Sequence, residues 1–97
     1  MPFSVEYVMK RPSKEVEFPT EGSEKDKLAV LREDHNISSS VFFSEDGLTR
    51  TLRHTASDAR TYNDFYAQAQ LYWEKSKVVQ ACNDSNVDIT MYIVENT

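Results

Sequence analysis

The sequence predicts an α+β fold in which strands and helices follow the order β-α-β-β-α-β, and three observations support it. Apolar residues alternate with period two at residues 3–9 and again at 87–94. Residues 37–55 contain two further extended segments joined by turn-forming residues. Residues 56–77 carry a broad helical stripe of aromatic side chains. A chain of 97 residues suits one domain, so we expect residues 1–97 to form a single α+β domain.

The first predicted strand covers residues 3–9 and is half-buried. Every second side chain in it points to the same face of a sheet. The apolar side chains that share this face are Phe3, Val5, Tyr7 and Met9. Pro12 ends the segment because proline lacks a backbone N–H and restricts the residue before it.

The first helix is predicted around residues 28–33. Ser23 followed three residues later by Asp26 is typical of an N-cap and an acidic first turn. Periodicity cannot separate a helix from a short buried strand in so short an apolar run. If this segment is a strand, the fold becomes an antiparallel sheet covered by one long helix. The helical alternative gives one stripe formed by Leu28, Leu31 and His35.

A β-hairpin is predicted over residues 37–55. Its turn contains Glu45-Asp46-Gly47, in which Gly47 can adopt a positive φ. The first strand places on one face Ile37, Ser39, Val41 and Phe43. The returning strand places on one face Leu48, Arg50, Leu52 and His54. Arg50 and Arg53 are therefore expected on opposite faces of the sheet.

The longest helix is predicted over residues 56–77. Side chains that can cap its first turn are Thr55, Ser57 and Asp58. Its apolar stripe consists of Tyr62, Phe65, Tyr66, Ala69, Tyr72 and Trp73. Val78 and Val79 fall outside the stripe, so we expect the helix to end or change near Ser76. Residues 78–82 then form either an irregular last turn or a strand in a hairpin with the final strand.

Two helices on one face of a four-stranded antiparallel sheet make a ferredoxin-like fold for this order of elements. The opposite sheet face stays uncovered. Apolar residues expected on that face are Val8, Phe42, Tyr92 and Val94. Four such residues on neighbouring strands form a patch of a size that begins to mark an interface. We therefore predict a homodimer in which a second copy covers this face, the alternative being a half-solvated sheet with scattered apolar residues.

The element order, the aromatic helix at residues 56–77 and the closing strand at 87–94 resemble the dimeric α/β-barrel group of ferredoxin-like proteins. That group includes cofactor-free monooxygenases, haem-degrading enzymes, stress-response proteins and ligand-binding modules. The resemblance therefore implies a dimer and selects no activity. The short, acidic, aromatic-rich chain is also similar in style to small uncharacterised proteins of tailed bacteriophages.

Composition excludes several classes of function. A net charge of -5 disfavours nucleic-acid binding, which usually needs a basic surface. No apolar run approaches the ~18–20 residues of a membrane span, and the first residues lack a signal-peptide pattern, so we expect a cytoplasmic protein without membrane contact. Cys82 is the only cysteine and Gly22 and Gly47 are the only glycines, so no disulfide, cysteine metal cage or glycine-rich phosphate loop is expected.

Pro2 is a candidate catalytic base if Met1 is removed. Tautomerase-superfamily enzymes, which this terminus resembles, use an N-terminal proline whose amine titrates near working pH. Under that hypothesis Arg11 and Arg32 would bind a substrate carboxylate.

His54 is the other candidate catalytic residue, because it is expected beside the opening between the long helix and the sheet. No HxH or HExxH spacing occurs, so we predict no metal site and no cofactor. Arg60, in the first turn of the long helix, could meet a phosphate or carboxylate. The candidate ligand-binding residues are Arg50, His54, Arg60 and Tyr66.

A non-enzymatic interaction or assembly module is the leading functional hypothesis, since no motif specifies a reaction and an aromatic stripe more often forms a core. Its partner would be a second copy or another protein. The alternative is a cofactor-independent or haem-handling enzyme with a pocket between helix and sheet, in which His54 would be the likelier haem ligand of the two histidines. The Pro2-dependent tautomerase is the second alternative.

Overall fold

The computed structural model describes residues 2–95 and has four strands and three helices. The strands are β1 (Phe3–Lys10), β2 (Ser38–Phe43), β3 (Thr49–Ala56) and β4 (Asp88–Glu95). The helices are α1 (Lys25–Asp34), α2 (Ala59–Ser76) and α3 (Val78–Asp84). This confirms the predicted α+β class and element order, with α3 as an addition. No helix within residues 2–95 is long and apolar enough to cross a membrane.

The four strands form one antiparallel sheet in the order β2-β3-β1-β4, consistent with a ferredoxin-like fold. β1 is central, and its Tyr7 lies opposite Leu52 of β3 and Met91 of β4. We call the side of the sheet that packs against the helices the helix face. The reverse side, the open face, carries the β1 residues Ser4, Glu6, Val8 and Lys10 together with their register partners. The result is a slab of 38 × 30 × 16 Å.

Burial of the helix face explains why these segments take these structures. The aromatic stripe predicted for α2 is confirmed, since Tyr62, Phe65 and Ala69 are buried against the sheet. The main core cluster comprises Val5, Leu28, Leu31, Ile37, Ala56, Tyr62, Phe65 and Ala69. A second cluster at the other end of the sheet comprises Met9, Val78, Cys82 and Val87. The alternating patterns of β1 and β4 therefore turn their apolar sides toward the helices.

The start of α1 differs from the prediction. Residues 28–33 are helical, so the alternative of a strand is wrong, and Leu28 and Leu31 are buried as one helical stripe. The expectation that Ser23 is the N-cap is also wrong. A 3-10 turn at Gly22–Glu24 precedes the helix, and its Glu24 N–H donates to Glu21 O at 3.1 Å. That bond already pairs a backbone donor that a side-chain cap would otherwise satisfy.

Asp58 caps α2, because its carboxylate accepts the Thr61 N–H at 2.7 Å. This hydrogen bond from Thr61 lowers the pKa of Asp58 below its usual value. The helix ends where Lys77 adopts the left-handed conformation, with φ +57°, and donates its N–H to Trp73 O. Such a C-terminal residue stops a helix by pairing its last carbonyls.

The segment after Lys77 is the short helix α3, so the interpretation of residues 78–82 as a strand or irregular turn is wrong. Val78 and Cys82 are four positions apart and both are buried beside Met9. A helix places positions i and i+4 on the same side, so both side chains face this second core cluster. Cys82 is therefore a core residue, and burial raises its pKa.

The hairpin between β2 and β3 is confirmed. Gly47 has φ +73°, and the Asp46 carboxylate accepts hydrogen bonds from the Ser44 hydroxyl at 2.6 Å and the Leu48 N–H at 3.0 Å. These hydrogen bonds, from Ser44 first, lower the pKa of Asp46. Arg11 links the turn to the loop that follows β1, because its guanidinium donates to Gly47 O at 2.9 Å and to Val16 O at 3.1 Å.

Candidate functional site

An apolar cleft of about 270 Å³ lies on the helix face, beside the C-terminal half of α2. Its floor crosses three strands, because Leu52, Tyr7 and Met91 are register neighbours whose side chains all point toward the helices. Tyr66 and Trp73 of α2 form one wall. The site is therefore built from the same alternation and the same aromatic stripe that build the core.

Aromatic contacts fix the wall of the cleft. The ring of Trp73 lies 5.4 Å from that of Tyr7 and 5.7 Å from that of Tyr66. Tilted contacts at such distances are favourable between aromatic rings. Trp73 is half-buried and is the only tryptophan of the chain. The fluorescence of Trp73 can therefore report the binding of a molecule in the cleft.

Arg50 brings a positive charge to this apolar surface. In register it lies between Met9 of β1 and Phe43 of β2, and it is half-buried. Among the side chains described, none forms a hydrogen bond or salt bridge with its guanidinium. Glu21, from the loop before α1, also lines the cleft. An unpaired guanidinium beside apolar walls is suited to an anionic group on an apolar molecule.

Two tyrosines next to the cleft are hydrogen-bonded to each other through their hydroxyl groups, Tyr7 and Tyr62. Burial is the main cause that raises the pKa of Tyr7 above its usual range. Burial also raises the pKa of Tyr62 to about 12. Both hydroxyls are therefore neutral at physiological pH and act as structural donors and acceptors rather than as bases.

His54 lies in the core and not at the opening where the sequence placed it. Its side chain is 0% exposed, and neither ring nitrogen has a hydrogen-bond partner. Its ring packs edge-on at 5.5 Å from Phe65 and at 5.4 Å from Tyr7, which separate it from the cleft. Burial, and secondarily the charge of Arg32, lowers the pKa of His54 from 6.5 to about 4. The ring is neutral at pH 7 and has no open path to a ligand or haem iron.

Two of the other predicted site residues, Pro2 and Arg60, lie near the end of the sheet opposite to the cleft. Pro2 is exposed before β1, whereas Arg11 follows the opposite end of that strand, roughly 26 Å away for eight extended residues. Met1, whose removal the tautomerase hypothesis requires, lies outside the described residues. Arg60 is exposed in the first turn of α2, beyond the end of β3 opposite to Arg50. Of the predicted ligand-binding residues, the structure brings together Arg50 and Tyr66.

The residues predicted as an interface do share the open face. In register, Val8 lies between Thr51 and Thr90, and Phe42 lies beyond Thr51 on β2. Tyr92 and Val94 occupy the same face of β4. The open face therefore carries apolar side chains at its two margins and near its centre.

An ion pair that the sequence analysis missed occupies the middle of this face. Arg53 Nε donates to Glu6 Oε2 at 2.7 Å, and its guanidinium lies 5.9 Å from the ring centre of Phe42. Beside it the hydroxyls of Ser4 and Thr55 are 2.9 Å apart. Alternation places Glu6 and Arg53 on this face, but only the register between β1 and β3 makes them partners.

His35, the second histidine, has a structural position at the end of α1. Its Nδ1 lies 3.0 Å from Leu31 O, and its Nε2 lies 3.3 Å from the side-chain amide of Gln68. Within residues 2–95, no group of three or more His, Cys, Asp or Glu side chains is placed to hold a metal ion.

Comparisons with known proteins assign no family. No family model and no curated protein matches the sequence. Similar solved structures include the de novo designed protein Foldit4, with 9% identity, a TM-score of 0.49 and full coverage of both chains. They also include Rv0793 from Mycobacterium tuberculosis, with 10% identity and a TM-score of 0.44 over 100% of this chain and 98% of that one. The fold class of this chain therefore rests on its own strand order and register.

Proposed function

We propose that this protein is a non-enzymatic assembly module of the cytoplasm that forms a homodimer through the open face. One observation carries the proposal. All helices of residues 2–95 that pack on the sheet do so on one side, while Phe42 and Tyr92 stay 46% and 50% exposed on the other. Apolar side chains gathered on one uncovered face typically mark an interaction site. The resemblance to the dimeric α/β-barrel group implies the same arrangement.

The charges of the open face are compatible with burial. Glu6 and Arg53 already neutralise each other within one chain, so a partner need not supply an opposite charge. In a two-fold interface the same surface meets itself, and the apolar margins can pack around this central pair. Phe42 forms one margin and Tyr92 the other.

The size of the open face sets the expected affinity. Four strands spaced about 4.8 Å apart, three of eight residues and one of six, give a face of roughly 500 Å² per copy. Two copies would bury about 1,000 Å², which is at the low end for specific protein interfaces. We therefore expect a dimer that dissociates in the micromolar range rather than an obligate one.

Sedimentation equilibrium of the wild-type chain is expected to give twice the 11.2 kDa chain mass at tens of micromolar. Replacing two margin residues, Phe42→Thr with Tyr92→Thr, should weaken the dimer at least about tenfold, because they are large exposed aromatic side chains of the open face and a few such residues carry most of the binding energy of an interface. The matched control is Val30→Gln with Leu71→Gln, two similarly exposed apolar residues on helices. A wild-type monomer at these concentrations, or equal weakening by the control pair, would contradict the proposal.

The cleft supports a second candidate function, the binding of a small amphipathic carboxylate. The specific observation is the unpaired Arg50 on a surface whose other lining residues, apart from Glu21, are all apolar or aromatic. With His54 enclosed in the core, the residues that line the cleft include no histidine, cysteine or aspartate, and the Tyr7 hydroxyl in its floor is neutral at physiological pH. The geometry therefore favours binding over the enzymatic alternative.

Titration with decanoate is expected to change the fluorescence of Trp73 in a saturable way, because the single tryptophan lines the cleft. Arg50→Gln should weaken decanoate binding about tenfold through loss of the charge-assisted contact. Decanol, which has the chain and no charge, should bind wild type and variant alike. Absence of saturation, or an equal response of Arg60→Gln at the distant arginine, would rule out this role for Arg50.

A further inference from the structure

The outer edge of β2 is a second exposed surface, distinct from the open face. β2 lies at the end of the strand order, and all six of its residues are exposed. Its sequence, Ser-Ser-Ser-Val-Phe-Phe, has no charged residue and no proline. Edge strands usually carry such residues because they prevent pairing with other chains. Val41 and Phe43 are 46% and 58% exposed, which is unusual for apolar residues at an unprotected edge.

The hairpin geometry identifies the backbone groups that face outward. Ser44 N–H donates to Thr49 O at 3.0 Å, so these two opposite residues occupy a hydrogen-bonding position of the ladder, in which the Thr49 N–H donates to the Ser44 hydroxyl oxygen at 3.0 Å. Such pairs alternate along an antiparallel ladder. Phe42 and Ser40 therefore bond to β3, whereas residues 39, 41 and 43 direct their N–H and C=O groups away from the sheet. Three donors and three acceptors are thus available to an added strand.

We infer that a second copy of this chain adds its own β2 to this edge, antiparallel and with Val41 on the two-fold axis. In this register residue 39 faces residue 43 of the second copy, residue 41 faces its own counterpart, and residue 43 faces residue 39. Each Phe43 side chain then lies opposite a Ser39, and each Phe42 lies opposite a Ser40. Each phenylalanine thus meets a serine, Val41 meets its own counterpart, and no like charges are brought together. The edge is self-complementary in volume as well as in hydrogen bonding.

The β2 strand of a second copy fits the β2 edge better than it fits β4, the other free edge of the sheet. β4 begins with Asp88, so pairing β2 with β4 would place a carboxylate beside uncharged residues. It would also be a head-to-tail contact that does not close. Six paired residues bury less area than a standard interface, so we expect the edge contact to form only at high concentration.

Amide hydrogen exchange followed by NMR distinguishes this contact from pairing of the open faces. At low micromolar concentration the amides of residues 39, 41 and 43 should exchange freely, while those of Ser40 and Phe42 are protected by β3. At millimolar concentration the three outward amides should become at least about tenfold slower to exchange. An open-face dimer alone leaves them unprotected, so their free exchange at millimolar concentration would overturn the inference without affecting the proposed function.

Charge variants at Val41 test the register. Val41→Lys and Val41→Glu each place two like charges at the two-fold axis, so each alone should lose the concentration-dependent protection. An equimolar mixture should regain it, since Lys then faces Glu. Val41→Thr is the control that keeps the shape and the outward N–H, and it should behave as wild type. Protection in either charged variant alone, or none in the mixture, would overturn the two-fold register.

Discussion

Acidification from pH 6.5 to pH 4 is expected to remove about 3 kcal/mol of the free energy of unfolding through His54 alone. The unfolded chain binds a proton at the usual histidine pKa of 6.5, whereas the pKa of His54 in the folded protein is about 4. Between these values the proton binds more tightly to the unfolded chain, so stability falls as the pH falls. Well above pH 6.5 the ring is neutral in both states and the loss is absent.

Urea unfolding at a series of pH values measures this effect. In the His54→Leu variant the decline between pH 6.5 and pH 4 should flatten, because no titrating ring is left in the core. The pKa values of Asp46 and Asp58 are lowered from 3.8, so their contributions are lost only below this window. His35→Gln, at the other histidine, serves as the control: it leaves the buried His54 in place, so the decline should persist. An unchanged slope in His54→Leu would show that another group causes the acid sensitivity.

Phe65→Ala is expected to lower the free energy of unfolding by about 3–5 kcal/mol, the range for truncating a buried aromatic side chain. Phe65 is fully buried at the centre of the main core cluster. Its ring contacts those of His54, Tyr62 and Trp73 at centroid distances of 5.5–6.3 Å. The substitution would therefore leave a cavity between α2 and the sheet.

Chemical denaturation of Phe65→Ala, beside Leu71→Ala on the exposed side of the same helix, gives the comparison. Leu71 is 60% exposed, so its truncation should change stability by less than about 0.5 kcal/mol. Because domains of this size have only about 5–15 kcal/mol of stability, Phe65→Leu provides a milder variant that retains most of the volume. Equal effects at Phe65 and Leu71 would contradict the assigned core.

The strands and the long helix were predictable because their burial is one-sided. In β1 the alternation from Phe3 to Met9 has only one sheet orientation that buries the apolar set. In α2 six aromatic or small residues fall within one stripe, which a helix alone can bury together. Because these patterns are local, they can be recognised in the sequence without the tertiary structure.

The segments that the sequence did not resolve are those in which tertiary contacts decide. Val78 and Cys82 are too few to establish a period, and α3 forms because both fill the space beside Met9. Lys77 ends α2 in a conformation that glycine or asparagine usually supplies, so no residue type marked this boundary. At α1 a 3-10 turn stands in place of the side-chain cap that was predicted at Ser23.

For the candidate site, the sequence predicted only the face of the sheet or helix on which each residue lies. Alternation placed Arg50 and His54 on the helix face, and helical spacing placed Tyr66 above it. Which of them meet depends on where α2 crosses the sheet, and Phe65 covers His54 while Arg50 stays open to the cleft. The Glu6–Arg53 pair depends likewise on register, which no local pattern specifies.

The central position of β1 has a consequence for how the chain folds during synthesis. β1 is made first, yet one of its two neighbours is β4, about 80 positions later in the chain. Until Asp88–Glu95 leaves the ribosome, one side of β1 has no hydrogen-bonding partner and the nascent sheet is incomplete. Contacts between such distant segments slow folding because a long loop must close before they form. We therefore expect β4 to add last, at the edge of the sheet beside β1, and the backbone groups of β1 that face it to stay unpaired until then.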